Sequence, residues 1–380
     1  MKGVAGFSGE RLTQAREARG HTKKSLSDSV EISTTALADL ENGKHLPRED
    51  TLARFVEVLA FPRGFFVRPA PKLSVGPVFW RKQAAEALRS QSRTEQRIRW
   101  AAEAFSVLEE MVSFGPLNLP DRSWLPHHWS AISDEQIERL AEQCRDEWGL
   151  GMHPIPDMTL ALENIGIPVL CFDIESTKQY GYTDWIPEIG RPIVGVNSFE
   201  CSWARQRFNL AHEFGHVLMH VKSASPAELR SPAIYKQIED QAHRFAGALL
   251  FPRDAFVKEV GYVNLETFSA LKQERGISIM AQITRAKQLG LCTADWAQGL
   301  FQQASKRGFR RPFGEPFDNA HELERPRMLR RAIDAIEDGS ELLLSRLDAS
   351  LQLPRTEAVA LFGRSLSPSK ANVFQLRPGR

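Results

Sequence analysis

Two histidines four residues apart, with a glutamate beside the first, sit in the segment RQRFNLAHEFGHVLMH (205–220). This spacing constrains the chain more than any other feature. On an α-helix, residues four apart share a face about one turn apart. His212 and His216 can then aim imidazole nitrogens at one ion, and Glu213 can hold a water bound to it. Leu210, Phe214, Val217 and Leu218 supply packing for such a helix, which the pattern predicts over about 203–220.

A catalytic zinc has three protein ligands and an open position. His220 is a poor third ligand on the same helix. It lies eight residues beyond His212, about 12 Å along the axis, whereas ligands sit about 2 Å from their metal. A packing or supporting role suits it better. A second helix, expected over about 232–251, offers Glu239 and His243 on one face beside the apolar stripe Ala242, Phe245, Ala246 and Leu249. Glu239 completes a two-histidine, one-carboxylate set of the kind that holds hydrolytic zinc, with His243 as its neighbour. Asp240 is the rival, turned about 100° round the helix and towards solvent.

The pattern R-x-R-F-x-x-A-H-E-x-G-H, followed by E-x-x-A-x-x-F-A-x-x-L-L-x-P, resembles the ImmA/IrrE metallopeptidases. Arg205, Arg207, Phe208, Ala211, His212, Glu213, Gly215 and His216 carry its first part. Glu239, Ala242, Phe245, Ala246, Leu249, Leu250 and Pro252 carry the second. The likeness extends over roughly 133–295. It implies a zincin-like α+β domain in which His212, His216 and Glu239 bind zinc and Glu213 is the catalytic base. His243 stands where that family usually has Asn or Asp; it could orient a ligand, as that position would, or compete for the metal. Tyr180, Tyr182 and Tyr235 are the candidates for stabilising the oxyanion. The strand expected at 192–197 could pair with an extended substrate by β-addition.

The first 66 residues follow another logic. In RLTQAREARGHTKKSLSDSVEISTTALADLENGKHLPREDTLARFVEVL (11–59), Leu12, Ala15 and Ala18 share a helical face. Gly20 stops that helix and Thr22 caps the next. Ser33 caps a third, with Leu37 and Leu40 inward and Gly43 as its stop; a fourth follows Pro47. Two short helices joined by a tight turn form a helix-turn-helix. The arrangement, and LxxLExGxxxP above all (Leu37, Leu40, Glu41, Gly43, Pro47), resembles the Xre/Cro-type repressor domains. That resemblance implies a recognition helix over 33–41, with Ser33, Thr34, Thr35 and Asp39 exposed, and backbone contacts from Thr22, Lys23 and Lys44. It also implies a homodimer on paired half-sites of a double-stranded DNA operator. Glu31 stands where the turn between the helices often has glycine, which strains the turn.

Between and beyond these parts the chain reads as mostly helical, with strands at 167–173 and 192–197 only. Helices are expected at 92–113 and at 133–148, the latter opened by a capping box of Ser133 and Gln136. Residues 71–78 look like a linker, and 264–350 reads as helices broken around 307–316. The expected fold is therefore α+β and mostly α. A DNA-binding domain spans 1–70, a linker and helical connector 71–131 and a peptidase domain with a small sheet 132–295. A helical C-terminal region covers 296–366, and 367–380 form a disordered tail.

Composition narrows the setting. The formal net charge of +2 over 380 residues makes no bulk case for nucleic acid, so that case rests on the local motif. No apolar run reaches the ~18 residues of a membrane span. The start lacks a secretory apolar core, and four scattered cysteines fit free thiols in a reducing cytoplasm. The two resemblances together imply a cytoplasmic DNA-binding regulator with a zinc endopeptidase, restrained at rest. It would cleave itself or a partner repressor or antitoxin in stress response, mobile elements, toxin–antitoxin operons or phage defence. The alternative is a repressor or antitoxin whose zinc domain senses a signal or binds a partner toxin without catalysis.

Overall fold

The computed structural model describes residues 3–74, 85–174, 180–339 and 341–366. The expected tail at 367–380 and the second half of the expected linker at 71–78 lie outside them. From the N-terminus come α1 (Gly9–Ala18), α2 (Lys23–Ser29), α3 (Thr34–Glu41), α4 (Glu49–Leu59), α5 (Arg63–Phe66) and α6 (Ala85–Glu109). Next are α7 (Asp134–Glu147), α8 (Met158–Asn164), β1 (Val169–Phe172), β2 (Gly181–Ile186), β3 (Arg191–Asn197), α9 (Trp203–Met219) and α10 (Pro232–Leu250). Then follow α11 (Arg253–Glu259), α12 (Leu265–Arg275), α13 (Ile279–Gln288) and α14 (Ala294–Lys306). The last described helices are α15 (Met328–Gly339), α16 (Glu341–Leu351) and α17 (Arg355–Phe362). The described residues are mostly helical with one small sheet, as the periodicity predicts.

Two compact units emerge. One comprises the described residues of Met1–Leu73, Gln91–Phe114 and Met328–Arg380; the other comprises those of Ser74–Ser90 and Gly115–Arg327.

In the first unit, α1–α5 bury Leu12, Leu26, Leu37, Leu52 and Phe55. Thr22 and Ser33 cap α2 and α3 by accepting the amides of Ser25 and Ala36 at 3.0 Å each. Gly20 and Gly43 take φ of +70°, the left-handed stop a glycine tolerates. Glu31, in the turn before α3, is forced to φ +54°, so the strain expected there is present. Gly9 meets the end of α3 so closely that a Cβ would lie 2.3 Å from the Leu40 and Glu41 carbonyl oxygens.

The same unit recruits distant helices through buried charge. The Arg11 guanidinium forks onto Glu103 of α6 at 2.9 and 2.6 Å, with both groups buried. Trp100 of α6 packs against Phe61 and Phe65 and donates to Gln14 at 3.1 Å. Glu357 of α17 accepts from Arg19 at 2.6 Å and Arg97 at 3.0 Å. Helix α6 from Gln91 onward and the C-terminal helices thus fall in the same compact unit as α1–α5.

In the second unit the strand order is β1-β3-β2, with β1 parallel and β2 antiparallel to β3. β2 lies in a stretch where no strand is expected, because its alternation is weak and it buries the polar Thr183 and Asp184. Since β3 is paired on both sides, it has no ladder left for a substrate. The expected β-addition at 192–197 is therefore incorrect, and β2 is the edge strand beside α9. Helix α7 opens with the expected Ser133–Gln136 capping box. Its Glu138 accepts from Arg285 of α13 at 2.6 and 2.7 Å and from Arg244 of α10 at 3.1 Å, binding three helices together. The Pro- and Trp-rich loop before α7 sends Arg122 to the Leu218 carbonyl at 2.6 Å, satisfying the C-terminal end of α9.

Candidate metal centre and nucleic-acid interface

Helices α9 and α10 pack side by side, and the expected metal-binding face of one meets that of the other. His212 and His216 point their Nε2 atoms at each other at 3.0 Å. The Glu239 carboxylate closes the triangle, 3.3 Å from His216 Nε2 and 3.7 Å from His212 Nε2. One ligand atom from each of these three residues lies within 4.8 Å of the others. Two atoms held at about 2.1 Å by one tetrahedral ion are about 3.4 Å apart. The observed spacings bracket that value, so the residues fit a metal ion.

Electrostatics agree with that fit. Burial, aided by the His216 imidazole, holds His212 well below the ordinary histidine range. Burial pushes Glu239 up, but its hydrogen bond and charge interaction with His216 outweigh this and hold it well below the carboxylate range. A neutral imidazole beside an ionised carboxylate is the protonation state a cation requires. Asp240 instead turns to solvent and pairs with Lys236 at 2.5 Å.

Glu213 leaves this triangle towards the sheet. Burial raises its carboxyl to about 7, against the opposing pull of His216 and Thr183. Thr183 of β2 donates to Glu213 Oε2 at 2.6 Å. Gly181, two residues earlier on the same face of β2, leaves the space the carboxyl fills: a Cβ there would lie 2.5 Å from Glu213 Oε1. Neither Gly181 nor Thr183 stands out in the sequence. The signal that could have found them is the six-residue strand itself, which puts both on the face towards α9.

The neighbouring residues divide. His220 is fully buried, and burial lowers it to about 3. Its Nδ1 lies 3.0 Å from His216 Nδ1, behind His216 and away from the triangle. His243 binds the Glu239 backbone carbonyl at 2.7 Å, and its ring centroid lies 4.5 Å from that of His212. Of the tyrosines, Tyr182 is buried with its ring over Gly195, on the face of β2 away from Glu213. Tyr235 sits one turn before Glu239 on α10, and Tyr180 is exposed just before β2.

On the N-terminal domain, Thr22, Lys23, Ser33, Thr34, Thr35 and Lys44 are exposed and Asp39 is half-buried. Several are already engaged. Thr22 and Ser33 cap helices, and Thr34 shares a hydrogen bond with Ser27 at 3.0 Å. Lys23 faces Glu41 at 3.3 Å, and Lys44 pairs with Asp39 at 2.9 Å. Thr35, in the first turn of α3, projects outward.

Comparison with known families agrees with both halves. Residues 162–285 match the family model of the IrrE N-terminal-like domain, a span that runs from β1 into α13 and includes His212, Glu213, His216 and Glu239. Residues 9–64 match the model of a helix-turn-helix domain, spanning α1 to the start of α5. No curated protein matches the chain. The chain is therefore a DNA-binding helix-turn-helix domain joined to a metallopeptidase-like domain. Among the described residues, no helix is long and apolar enough to cross a membrane.

Proposed function

We propose that this protein is a cytoplasmic, homodimeric transcriptional regulator whose second unit is a zinc-dependent endopeptidase. It cleaves itself or a partner carrying a helix-turn-helix, a repressor or antitoxin, in a stress, mobile-element, toxin–antitoxin or phage-defence setting. The observation that carries this reading is the triangle of His212, His216 and Glu239 with Glu213 beside the edge strand β2. Two imidazoles and a carboxylate are the donor set of hydrolytic zinc. A zinc ion there supplies Lewis acidity to water and to the scissile carbonyl.

The chain's own groups do the rest. Glu213 accepts a proton from the attacking water and delivers it to the departing amine. Thr183 keeps one carboxylate oxygen occupied and so fixes which one faces the reaction. An extended segment hydrogen-bonded along the outer edge of β2 would run past Glu213. On the DNA side, Thr35 reads base edges, while Thr22, Lys23 and Lys44 meet phosphates once DNA displaces the carboxylates that pair with the lysines.

The test is incubation of zinc-loaded protein with helix-turn-helix proteins encoded beside it, followed by intact-mass analysis. The parent should give a defined cut. Glu213→Gln should retain zinc and lose the cut, since only the base is removed. Equal cleavage by Glu213→Gln would refute the mechanism. No cleavage by either would favour a regulator that uses its metal domain as a sensor.

A further inference from the structure

Behind His216 runs a hydrogen-bond chain that, among the described residues, has one consistent direction. Its far end is Gln241 of α10, whose Nε2 lies 3.1 Å from the Trp129 carbonyl oxygen and 3.2 Å from that of Ile132. Both neighbours are acceptors, so the amide nitrogen must face them; the flipped amide would set oxygen against two oxygens. The Gln241 Oε1 therefore faces His220 Nε2 at 3.0 Å and can only accept, so the proton lies on His220 Nε2. A neutral imidazole carries one proton, which leaves His220 Nδ1 an acceptor. The atom 3.0 Å from it, His216 Nδ1, must then be the donor. With a proton held on Nδ1, the nitrogen that His216 can offer to an ion is Nε2, which faces His212 and Glu239.

We propose that Gln241 and His220 are positioning residues that set the tautomer of His216, using two backbone carbonyls before α7 as the fixed reference. This rests on the reading of His212, His216 and Glu239 as a metal site. The relay spares the ion the free energy of reorienting one ligand when it binds. His212 has no counterpart: its buried Nδ1 finds no partner among the described residues. The two histidines are therefore unequal, His216 preset and His212 adjusted on binding.

The test uses the full chain in two arms. In metal-free protein labelled with ¹⁵N-histidine, ring-nitrogen shifts identify the protonated nitrogen of each imidazole, with His216→Ala and His220→Phe used for assignment. The expected result is protonated Nε2 on His220 and protonated Nδ1 on His216. Protonated Nδ1 on His220 would overturn the relay. In the second arm, zinc affinity is measured by competition with a chelator. Gln241→Leu and His220→Phe should each weaken it by about 10–100-fold. Gln241 is partly exposed, so Gln241→Leu serves if His220→Phe fails to fold. Metal-free melting temperature should change little in Gln241→Leu, which separates positioning from folding. Unchanged zinc affinity in Gln241→Leu would also overturn the relay. Should the parent bind no zinc, the metal site itself fails, and the tautomers still decide whether the relay exists.

Discussion

Replacing Gly181 with alanine should disable the chemistry while sparing the metal. The backbone there is not left-handed, so the substitution adds only a methyl group. That Cβ would lie 2.5 Å from Glu213 Oε1, 2.9 Å from its Cγ and 3.0 Å from its Cδ. Ordinary contacts between such atoms are about 3.5–4 Å, so the carboxyl must withdraw by roughly 1 Å. Thr183 holds its other oxygen at 2.6 Å and resists that movement. A misplacement of about 1 Å in a reacting group costs on the order of 100-fold in rate, or about 2.7 kcal/mol of activation free energy. His212, His216 and Glu239 are untouched by the methyl group, so zinc content should equal that of the parent. The assay is the initial cleavage rate of the identified partner at matched zinc content, with melting temperature as a folding control. Because Gly181 acts only through Glu213, adding Gly181→Ala to Glu213→Gln should slow cleavage no further. A well-folded Gly181→Ala protein that cleaves at the parent rate would refute the placement of Glu213 argued here.

Thr183→Val removes the hydrogen bond that favours ionised Glu213, whose carboxyl burial already raises to about 7. A base works in its ionised form, so the acid limb of the pH–rate profile should move to higher pH, with loss greatest in acid and recovered as pH rises; an unmoved limb would contradict this. Glu31→Gly relieves a side chain held at φ +54° and should stabilise the N-terminal domain by about 1 kcal/mol, read as a higher denaturation midpoint. For DNA, Thr35→Ala should change sequence preference with little effect on non-specific binding, measured by titration of operator and random duplexes. Lys44→Ala should instead lower affinity for both and reduce the salt slope by about one.

The parts of the fold legible in advance are those with local causes. Ser133, Thr22 and Ser33 announce their helices because a cap acts within three residues of itself. The periodicity of 203–220 and 232–251 places α9 and α10 to within a residue or two. Strand β2 escapes because it starts at glycine and buries Thr183 and Asp184, so no clean alternation exists. The attachment of α6 and α17 to the N-terminal domain escapes for a related reason. Glutamates on helices ordinarily face solvent, and nothing near Glu103 or Glu357 in sequence marks them as exceptions. They are buried because Arg11, Arg68, Arg19 and Arg97, distant in sequence, neutralise them.

The site divides along the same line. His212, Glu213 and His216 share one helix, and their chemistry imposes a spacing that can be read directly. Glu239 is legible at one remove, because the apolar stripe of its helix fixes which face turns inward and so prefers it to Asp240. Gly181, Thr183 and Gln241 act on another side chain rather than on a ligand. Their positions are set by where β2 and the segment before α7 meet α9 and α10, and any chain path making those meetings would serve. A group that acts through another needs the right distance in space but no particular distance in sequence. The orienting half of this centre could therefore become visible only once the helices and the edge strand were brought together.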